Sequence, residues 1–354
     1  MALQIPAKFK VTQQELNQLR DIIRNIREAV VVTHIGPDQD AMMSLASWSH
    51  ILQVNTTAVV RPIYEDNFLY EVADMKSLQV VERVPDLYES LVKYEPSHVF
   101  LVDLNSHERL THHKNKLDKL KNFLETKTTT IIIDHHETPT TLNAHLKIIK
   151  PLASNCELLF NIAKELQLDY SKVAKELAIG ILADTGMLEF SQLKDRPPTI
   201  TTQALFELSK LNLDFREIVK RATMQLTPDL LPFIHEYMQN LTVEKHYAYT
   251  FLDHTNLTGN QSVSALRAKS FVLQTILAKI PVPIYYIVSA KQNAVKVSMR
   301  SEPPIAIRSI AEKLGGGGHD YSVGIYMKNA DLNKTILVLN HEIETLLKQV
   351  SINN

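Results

Sequence analysis

The sequence is poor in cysteine, in net charge and in long apolar runs. Its single cysteine, Cys156, excludes an intrachain disulfide and a zinc site built from several thiolates. A net charge of −1, from 38 basic and 39 acidic residues, argues against a protein that coats long nucleic acid electrostatically, although a small anionic ligand remains compatible. Gln274, Lys279 and two prolines interrupt the most apolar long stretch, residues 271–290, which therefore predicts a helix followed by a strand rather than a membrane span.

The start of the chain also lacks the basic-then-apolar layout of a signal peptide. We therefore expect a cytoplasmic protein, kept in a reducing compartment and without a membrane partner. A length of 354 residues predicts two domains, and 45% hydrophobic with 22% charged residues is typical of globular chains.

Short apolar strands alternate with helices in the first half of the chain. Helical periodicity covers residues 12–29, 156–166 and 172–186, whereas residues 30–34, 98–104 and 128–134 read as strands. This alternation predicts an α/β domain with a parallel sheet covered on both faces, in which ligands collect at the carboxyl ends of the strands.

The second half of the chain predicts a smaller α+β domain. A polar, proline-containing stretch at 191–202 marks a boundary or bend, and strand-like runs begin near residue 243. We expect a first domain at 1–196, a helical linker at 197–240 and a second domain at 241–354.

Four polar clusters follow apolar runs, at the point where each run ends. Taken singly, each has an ordinary explanation: a polar turn, a helix cap, a surface pair of histidines or a buried acid satisfied by backbone donors. The adjacent His112 and His113 are expected to be such a surface pair. The clusters supply eight side chains: His34, Asp38, Asp40, Asp103, Asp134, His135, His136 and Asp184.

Five carboxylates gathered at one sheet edge would repel one another, and divalent cations are the usual way to stabilise such a collection. Carboxylates mixed with imidazoles, without thiolates, suit Mn²⁺, with Mg²⁺, Co²⁺ or Zn²⁺ as competitors. Enough ligands exist for two ions, and paired ions about 3.5–4 Å apart are the common device for phosphoester hydrolysis.

The order H-x-x-x-D-x-D, a strand-end D, D-H-H and then a D in a helix resembles the DHH phosphoesterase family. The segment VSMRSEPPIAIRSIAEKLGGGGHDYSVG, residues 297–324, resembles the family's associated C-terminal domain with its GGGGH loop. Four of the chain's nine glycines are consecutive there, as expected where the backbone must approach something closely. One mild departure is Gln39, which stands between the aspartates of the first motif where glycine is usual.

The resemblance implies roles for the metal-site residues. It places His34, Asp38 and Asp103 on one metal ion, and Asp40, Asp103, His135 and Asp184 on the other, so that Asp103 bridges both. A hydroxide shared by the two ions would be the nucleophile. Asp134 would orient a histidine, and His136 would face the scissile phosphate, so that Asp103, Asp134 and His136 form the catalytic set.

The resemblance also implies that substrate binds in a cleft between the two domains. In the second domain it points to these substrate-binding residues: Arg300, Ser301, Gly315, Gly316, Gly317, Gly318 and His319. Arginine can grip a phosphate through two parallel hydrogen bonds.

The two-domain layout resembles the NrnA-like, oligoribonuclease and pAp-phosphatase branch. That branch implies hydrolysis of short RNA (nanoRNA) to 5′-nucleotides and of pAp to AMP. It implies no long duplex nucleic acid as a partner, and it is compatible with a homodimer.

Four alternatives stay open. Linear or cyclic dinucleotides are nearby substrates, a manganese inorganic pyrophosphatase shares the N-terminal motifs, and a RecJ-type exonuclease would need further nucleic-acid-binding domains. The non-enzyme alternative is a nucleotide-binding protein on a decayed hydrolase scaffold, which should have lost some ligands.

Overall fold

The computed structural model describes residues 6–65, 81–137, 139–189, 197–223, 226–291 and 294–352. The chain forms two compact units, Met1–Thr223 and Met224–Asn354. This division falls within the expected helical linker at 197–240, and the expected domain limits stay predictions. Part of the polar stretch 191–202 lies outside the described residues.

The first unit is built on six parallel strands in the order β3-β2-β1-β4-β5-β6. Strand β1 has β2 on one side and β4 on the other, so the direction of chain winding reverses between β1 and β4, and such switch points are the usual ligand sites of parallel sheets. The strands are β1 (Glu28–Val32), β2 (Val59–Glu65), β3 (Glu82–Val84), β4 (His98–Val102), β5 (Thr129–Asp134) and β6 (Leu146–Ile149).

Side chains alternate between the two faces of a strand, so the apolar strands of this sheet present apolar side chains on both faces. Helices cover both of these faces. Val31, Val102 and Ile133 pack into one core, whereas Val32 and Leu101 pack into the core on the opposite face. The predicted parallel α/β unit is therefore confirmed. Its helices are α1 (Gln13–Asn25), α2 (Gln39–Asn55), α3 (Leu87–Tyr94), α4 (Leu117–Thr126), α5 (Asn155–Leu166), α6 (Ala174–Asp184), α7 (Pro198–Ser209) and α8 (Phe215–Ala222).

The second unit carries a mixed sheet in the order β11-β12-β10-β9-β8-β7, in which only the β8–β9 pair is parallel. This confirms the predicted α+β unit. The strands are β7 (Thr242–Val243), β8 (Tyr247–Asp253), β9 (Ile284–Lys291), β10 (Ala294–Ser301), β11 (Gly317–His319) and β12 (Ser322–Lys328). The helices are α9 (Leu231–Gln239), α10 (Gly259–Phe271), α11 (Arg308–Lys313) and α12 (Leu332–Ile352).

The two faces of the second sheet are covered unequally. Helices α11 and α12 pack on one face against β9, β10 and β12. On the other face, α9 and α10 pack against Leu252, Tyr285 and Ile287, which belong to β8 and β9. A π-helical turn, Val272–Ile276, and a short 3₁₀ turn follow α10 and lead into β9. Among the described residues, no helix combines the length and the apolar character needed to cross a membrane.

Candidate metal centre

The polar clusters of the first unit meet at the carboxyl ends of β1, β4 and β5, beside the switch point of the sheet. His34 follows β1, Asp103 follows β4 directly, and Asp134 is the last residue of β5. Asp38 caps the amino terminus of α2, where its Oδ1 accepts a hydrogen bond from the backbone N–H of Ala41 at 3.0 Å. The sheet and this cap together bring the motifs to one place.

Asp103 lies at the centre of the cluster and is 1% exposed. Its φ angle of 57° lies in the left-handed region, which aspartate and asparagine adopt more readily than other residues that carry a side chain. Its carboxylate lies 3.6 Å from His34 Nε2 and 3.3 Å from His135 Nε2. The turn at the end of β4 thus places one carboxylate between two imidazoles.

Three groups of residues offer potential ligand atoms that lie within 4.8 Å of one another: Asp103 with Asp134, His135 and His136; His34 with Asp38 and Asp103; and Asp40 with His135 and Asp184. The second and third groups are the two sets of ligand atoms that correspond to the two predicted metal sites. Asp103 Oδ1 is 3.3 Å from His135 Nε2, so Asp103 touches both sets. The geometry therefore offers two adjacent positions for cations.

Backbone carbonyls fix the orientation of the two histidines. The Nδ1 of His34 lies 2.9 Å from the carbonyl oxygen of Ile35, and the Nδ1 of His135 lies 3.2 Å from that of Leu152. Each Nδ1–H donates to its carbonyl, which leaves the Nε2 lone pair directed at the cluster. Such outer contacts are the usual way in which proteins select the metal-binding tautomer.

The amino terminus of α5 holds Asp40 in place. Its two carboxylate oxygens accept hydrogen bonds from the backbone N–H groups of Asn155 at 2.6 Å and Cys156 at 3.0 Å. Gly180 of α6 packs directly over this contact, because a Cβ at that position would lie 2.8 Å from Asp40 Oδ1. Three helices thus define the position of one carboxylate.

The charges of the cluster perturb one another strongly. Burial, together with the neighbouring carboxylates of Asp103 and Asp184, raises the pKa of Asp40 well above its usual value. Burial also opposes ionisation of Asp103, but the adjacent imidazoles of His135 and His34 outweigh it and lower the pKa of that carboxyl. Burial lowers the pKa of both histidines, but the carboxylate of Asp103, joined at His135 by those of Asp184 and Asp40, more than reverses this, so that the net shift of each is upward.

The residues fit a pair of divalent cations. Three buried polar atoms, His34 Nε2, Asp103 Oδ1 and Asp134 Oδ2, have no hydrogen-bond partner in the described part of the chain. Unpaired buried polar atoms are costly, and a cation would satisfy those that face the cluster. Carboxylate oxygens and imidazole nitrogens are ligands suited to Mn²⁺, Mg²⁺, Co²⁺ or Zn²⁺, and the donor set does not single out one of them.

Asp134 is fully buried, belongs to the group formed with Asp103, His135 and His136, and contacts His136 directly. Its Oδ1 lies 2.8 Å from His136 Nδ1 and also accepts the backbone N–H of His135 at 2.9 Å. The rings of His135 and His136 pack edge to face, with centroids 4.3 Å apart. Asp134 therefore fixes the ring of His136 beside the cluster, where His136 Nδ1 is 3.7 Å from Asp103 Oδ1.

Residues predicted to bind substrate lie in the second unit. Arg300 lies on β10, partly exposed, with its Nη1 donating to the carbonyl of Met299 at 3.0 Å. The hydroxyl of Ser301 donates to the carbonyl of Ile305 at 2.6 Å, so Ser301 has a structural contact of its own. His319 ends β11 and pairs with Ser322 of β12.

Three of the four consecutive glycines have a structural reason, and the reason differs among them. A Cβ on Gly316 would lie 2.8 Å from Ile325 Cα, and one on Gly318 would lie 2.8 Å from Val323 Cα, so both glycines let β11 approach β12. A Cβ on Gly315 would meet open space, but its φ of 75° favours glycine. Gly317 has neither a close neighbour nor a left-handed φ, so only there is the fold indifferent to a side chain.

Sequence reasoning assigned no contact to Gln39 and did not single out Arg109, yet both residues lie beside the centre. Gln39 donates from Nε2 to the carbonyl of Arg221 at 2.5 Å and so ties the first motif to the end of α8. The backbone carbonyl of Arg109 accepts a hydrogen bond from the backbone N–H of Ile35 at 2.8 Å. The guanidinium of Arg109 is close enough to His34 to oppose protonation of that imidazole ring. A basic residue soon after a strand-end aspartate was the available signal for Arg109.

The pair His112 and His113 lies outside the candidate centre. The backbone N–H of His112 donates to Glu65 at 2.6 Å, and His113 Nε2 lies 3.0 Å from the carbonyl of Pro85. Neither histidine belongs to a set of potential ligand atoms in the described residues.

Comparison with known proteins agrees with this geometry. The model of the DHH family, N-terminal domain, matches residues 28–183, and the model of the DHHA1 domain matches residues 246–349. A curated relative from Mycoplasma genitalium, the bifunctional oligoribonuclease and PAP phosphatase NrnA, is 23% identical over 312 residues, which cover 87% of this chain and 91% of that protein. The protein of the same name from Thermus thermophilus is 26% identical over 212 residues, covering 58% of this chain and 60% of that protein.

A solved structure shares the fold of the chain. The exopolyphosphatase-related protein from Bacteroides fragilis superposes with a TM-score of 0.76 at 20% identity, covering 94% of this chain and 96% of that one.

Proposed function

Because the chain belongs to the DHH family, we propose that it is a phosphoesterase that hydrolyses short RNA to 5′-nucleotides and pAp to AMP. The observation that carries this proposal is the convergence of carboxylates and imidazoles around Asp103, with buried ligand atoms unpaired. The relatives named NrnA support the choice of substrate, since one of them matches this chain over 87% of its length.

The residues assigned to the metal ions divide as the two sets of ligand atoms do. His34, Asp38 and Asp103 would hold one cation. Asp40, His135 and Asp184 would hold the other, with Asp103 shared. When bound, the two cations, Mn²⁺ first among the candidates, would supply positive charge for the phosphate and a lower pKa for water near neutral pH.

The chain's own groups orient the substrate and move the proton. Asp134 holds Nδ1 of His136, so the ring presents Nε2 for the scissile phosphate and can deliver a proton to the leaving oxygen. The exposed guanidinium of Arg109, beside His34, is placed to attract the phosphate as the substrate enters. In the second unit, Arg300 and the backbone at Gly317 would contact the rest of the substrate, with His319 and Ser301 as further contacts. A cytoplasmic location remains part of the proposal.

Two features disfavour the main alternatives. The pyrophosphatases that share the N-terminal motifs resemble a different C-terminal domain, whereas residues 246–349 match the DHHA1 model. A decayed scaffold should have lost ligands, yet every expected acid and imidazole of the centre lies near Asp103. Linear and cyclic dinucleotides share the same chemistry and are separated only by experiment.

A substrate panel tests the proposal. The full-length protein is assayed with a dinucleotide, five-residue RNA, pAp, cyclic dinucleotides and pyrophosphate, each with Mn²⁺ and with chelator. We expect metal-dependent release of nucleotides from the dinucleotide and short RNA, and of phosphate from pAp. Turnover of pyrophosphate alone, or no turnover of any phosphoester with metal present, would overturn the proposal.

A further inference from the structure

Lys269 is a buried cation outside the candidate metal centre. It belongs to α10 and is 6% exposed, although lysine is rarely buried without a partner of opposite charge. Its Nζ donates one hydrogen bond, to the hydroxyl of Ser298 on β10 at 3.0 Å. An ammonium group has three donors, so a single neutral acceptor leaves most of its hydrogen-bonding capacity unused.

The surroundings of Lys269 are basic. Lys296, Ser298 and Arg300 alternate along β10 and therefore share one face of the strand, with successive members about 7 Å apart. The ion pairs of the described part of this unit engage other cations: Arg267, Arg308 and Lys313. Burial, followed by the charges of Lys296, Arg300 and Lys291, lowers the pKa of Lys269 to about 8.

This face of the sheet is open where the basic residues lie. Helices α9 and α10 cover β8 and β9 on this side. Lys296 of β10 is exposed, and Tyr326, the residue of β12 that pairs with it, is 56% exposed. Lys296, Ser298 and Arg300 form a basic strip along β10; Ser298 pairs with Gly324, which in turn pairs with Gly317, so only glycines lie between Ser298 and the edge strand β11. An anion therefore has access to the strip, and an aromatic ring lies beside it on which a base could stack.

From this arrangement we infer that Lys269, Ser298 and Lys296, beside Arg300, form a binding site for the terminal phosphate monoester of a short nucleotide chain. A phosphomonoester carries close to two negative charges and three acceptor oxygens, whereas an internal diester carries one charge, so the monoester better matches several cations without a counter-charge. The inference rests on the proposed function for the identity of the ligand, but the site lies wholly in the second unit.

Binding without turnover separates this inference from the proposed function. Calorimetric titration in chelator, where hydrolysis is blocked, compares pApA, ApAp and ApA on the wild type, Lys269→Met, Lys296→Met and Lys245→Met. Lys245 is an exposed lysine between β7 and β8 and serves as the matched control for loss of one positive charge. The two phosphorylated ligands distinguish a 5′ from a 3′ terminal phosphate.

We expect one phosphorylated ligand to bind the wild type at least about tenfold more tightly than ApA, because charge-assisted hydrogen bonds contribute that much. Lys269→Met should abolish this advantage while leaving the affinity for ApA within about twofold, and Lys296→Met should reduce it. Lys245→Met should leave it unchanged. An equal advantage in the wild type and in both site variants, or no advantage in the wild type, would overturn the inference.

Discussion

Replacing Lys269 with methionine should stabilise the second unit near neutral pH. The pKa of Lys269 falls to about 8 from an ordinary value of 10.5, because the residue is buried among other cations. Each pKa unit corresponds to about 1.4 kcal/mol, so the protonated side chain costs the folded state about 3 kcal/mol below pH 8. Methionine keeps a similar length without the charge, and removal of a buried charge by an apolar side chain of similar volume is often stabilising.

The same shift fixes the pH dependence of this cost. Between pH 8 and 10.5 the unfolded chain binds more protons than the folded one, so the stability of the wild type rises relative to the variant over this range. At pH 9.5 the cost should have fallen to about 1.5 kcal/mol. The neighbouring His254, whose pKa burial lowers to about 4, is neutral at both pH values and does not disturb the comparison.

Urea unfolding followed by hydrogen exchange of β9 and β10 peptides reports the second unit separately from the first. The free energy of unfolding is compared between wild type and Lys269→Met at pH 7 and pH 9.5, with Lys245→Met as control. We expect Lys269→Met to be more stable by about 2–3 kcal/mol at pH 7, with a difference smaller by about 2 kcal/mol at pH 9.5. A destabilised variant at pH 7, or a difference that does not change with pH, would refute the reasoning.

Four further substitutions test the first unit and the glycine loop. Asp103→Asn keeps the shape of the side chain and tolerates the left-handed φ, but it removes the negative charge that the two sets of ligand atoms share. Turnover should fall by more than about a hundredfold, with an unchanged circular dichroism spectrum. Near-normal turnover with metal in excess would show that Asp103 is not part of the centre. Gly180→Ala places a methyl group against Asp40 and the Sγ of Cys156, so it should lower the free energy of unfolding in urea by about 1–3 kcal/mol. In a Cys156→Ala background part of that loss should disappear. Additive effects of the two substitutions would contradict the contact between residues 180 and 156. Gly317→Ala should raise the KM for a dinucleotide without changing stability, whereas Gly316→Ala should lower the melting temperature; equal melting effects would show that the loop glycines serve one purpose.

Much of the candidate centre could be predicted from the sequence, because the period of a strand and the end of an apolar run are local signals. The end of Ile131–Ile133 before Asp134 marks the edge of the sheet without any knowledge of the fold. Parallel pairing then brings separate strand ends together, so the neighbourhood of Asp103 follows from topology.

Other features depend on contacts that no local pattern encodes. Strand β2 contains Arg61 and Pro62, which break the apolar run, so sequence reasoning passed over it. Lys269 looks like any exposed lysine of a helix, and only the folded structure reveals its burial and its hydrogen bond to Ser298 of β10. The need for Gly316 and Gly318 also arises from β12, a strand that follows them in the chain.

The hydrogen bond from Gln39 to the carbonyl of Arg221 has a practical consequence for dissecting the molecule. The DHH model stops matching at residue 183, which invites a cut soon after that position. Such a fragment would discard the acceptor of the Gln39 side chain, so the first turn of α2, which follows Asp38 and contains Asp40, would lose its contact with α8 and keep the hydrogen bonds to Ala41, Asn155 and Cys156. The first unit prepared in isolation should therefore extend through Thr223.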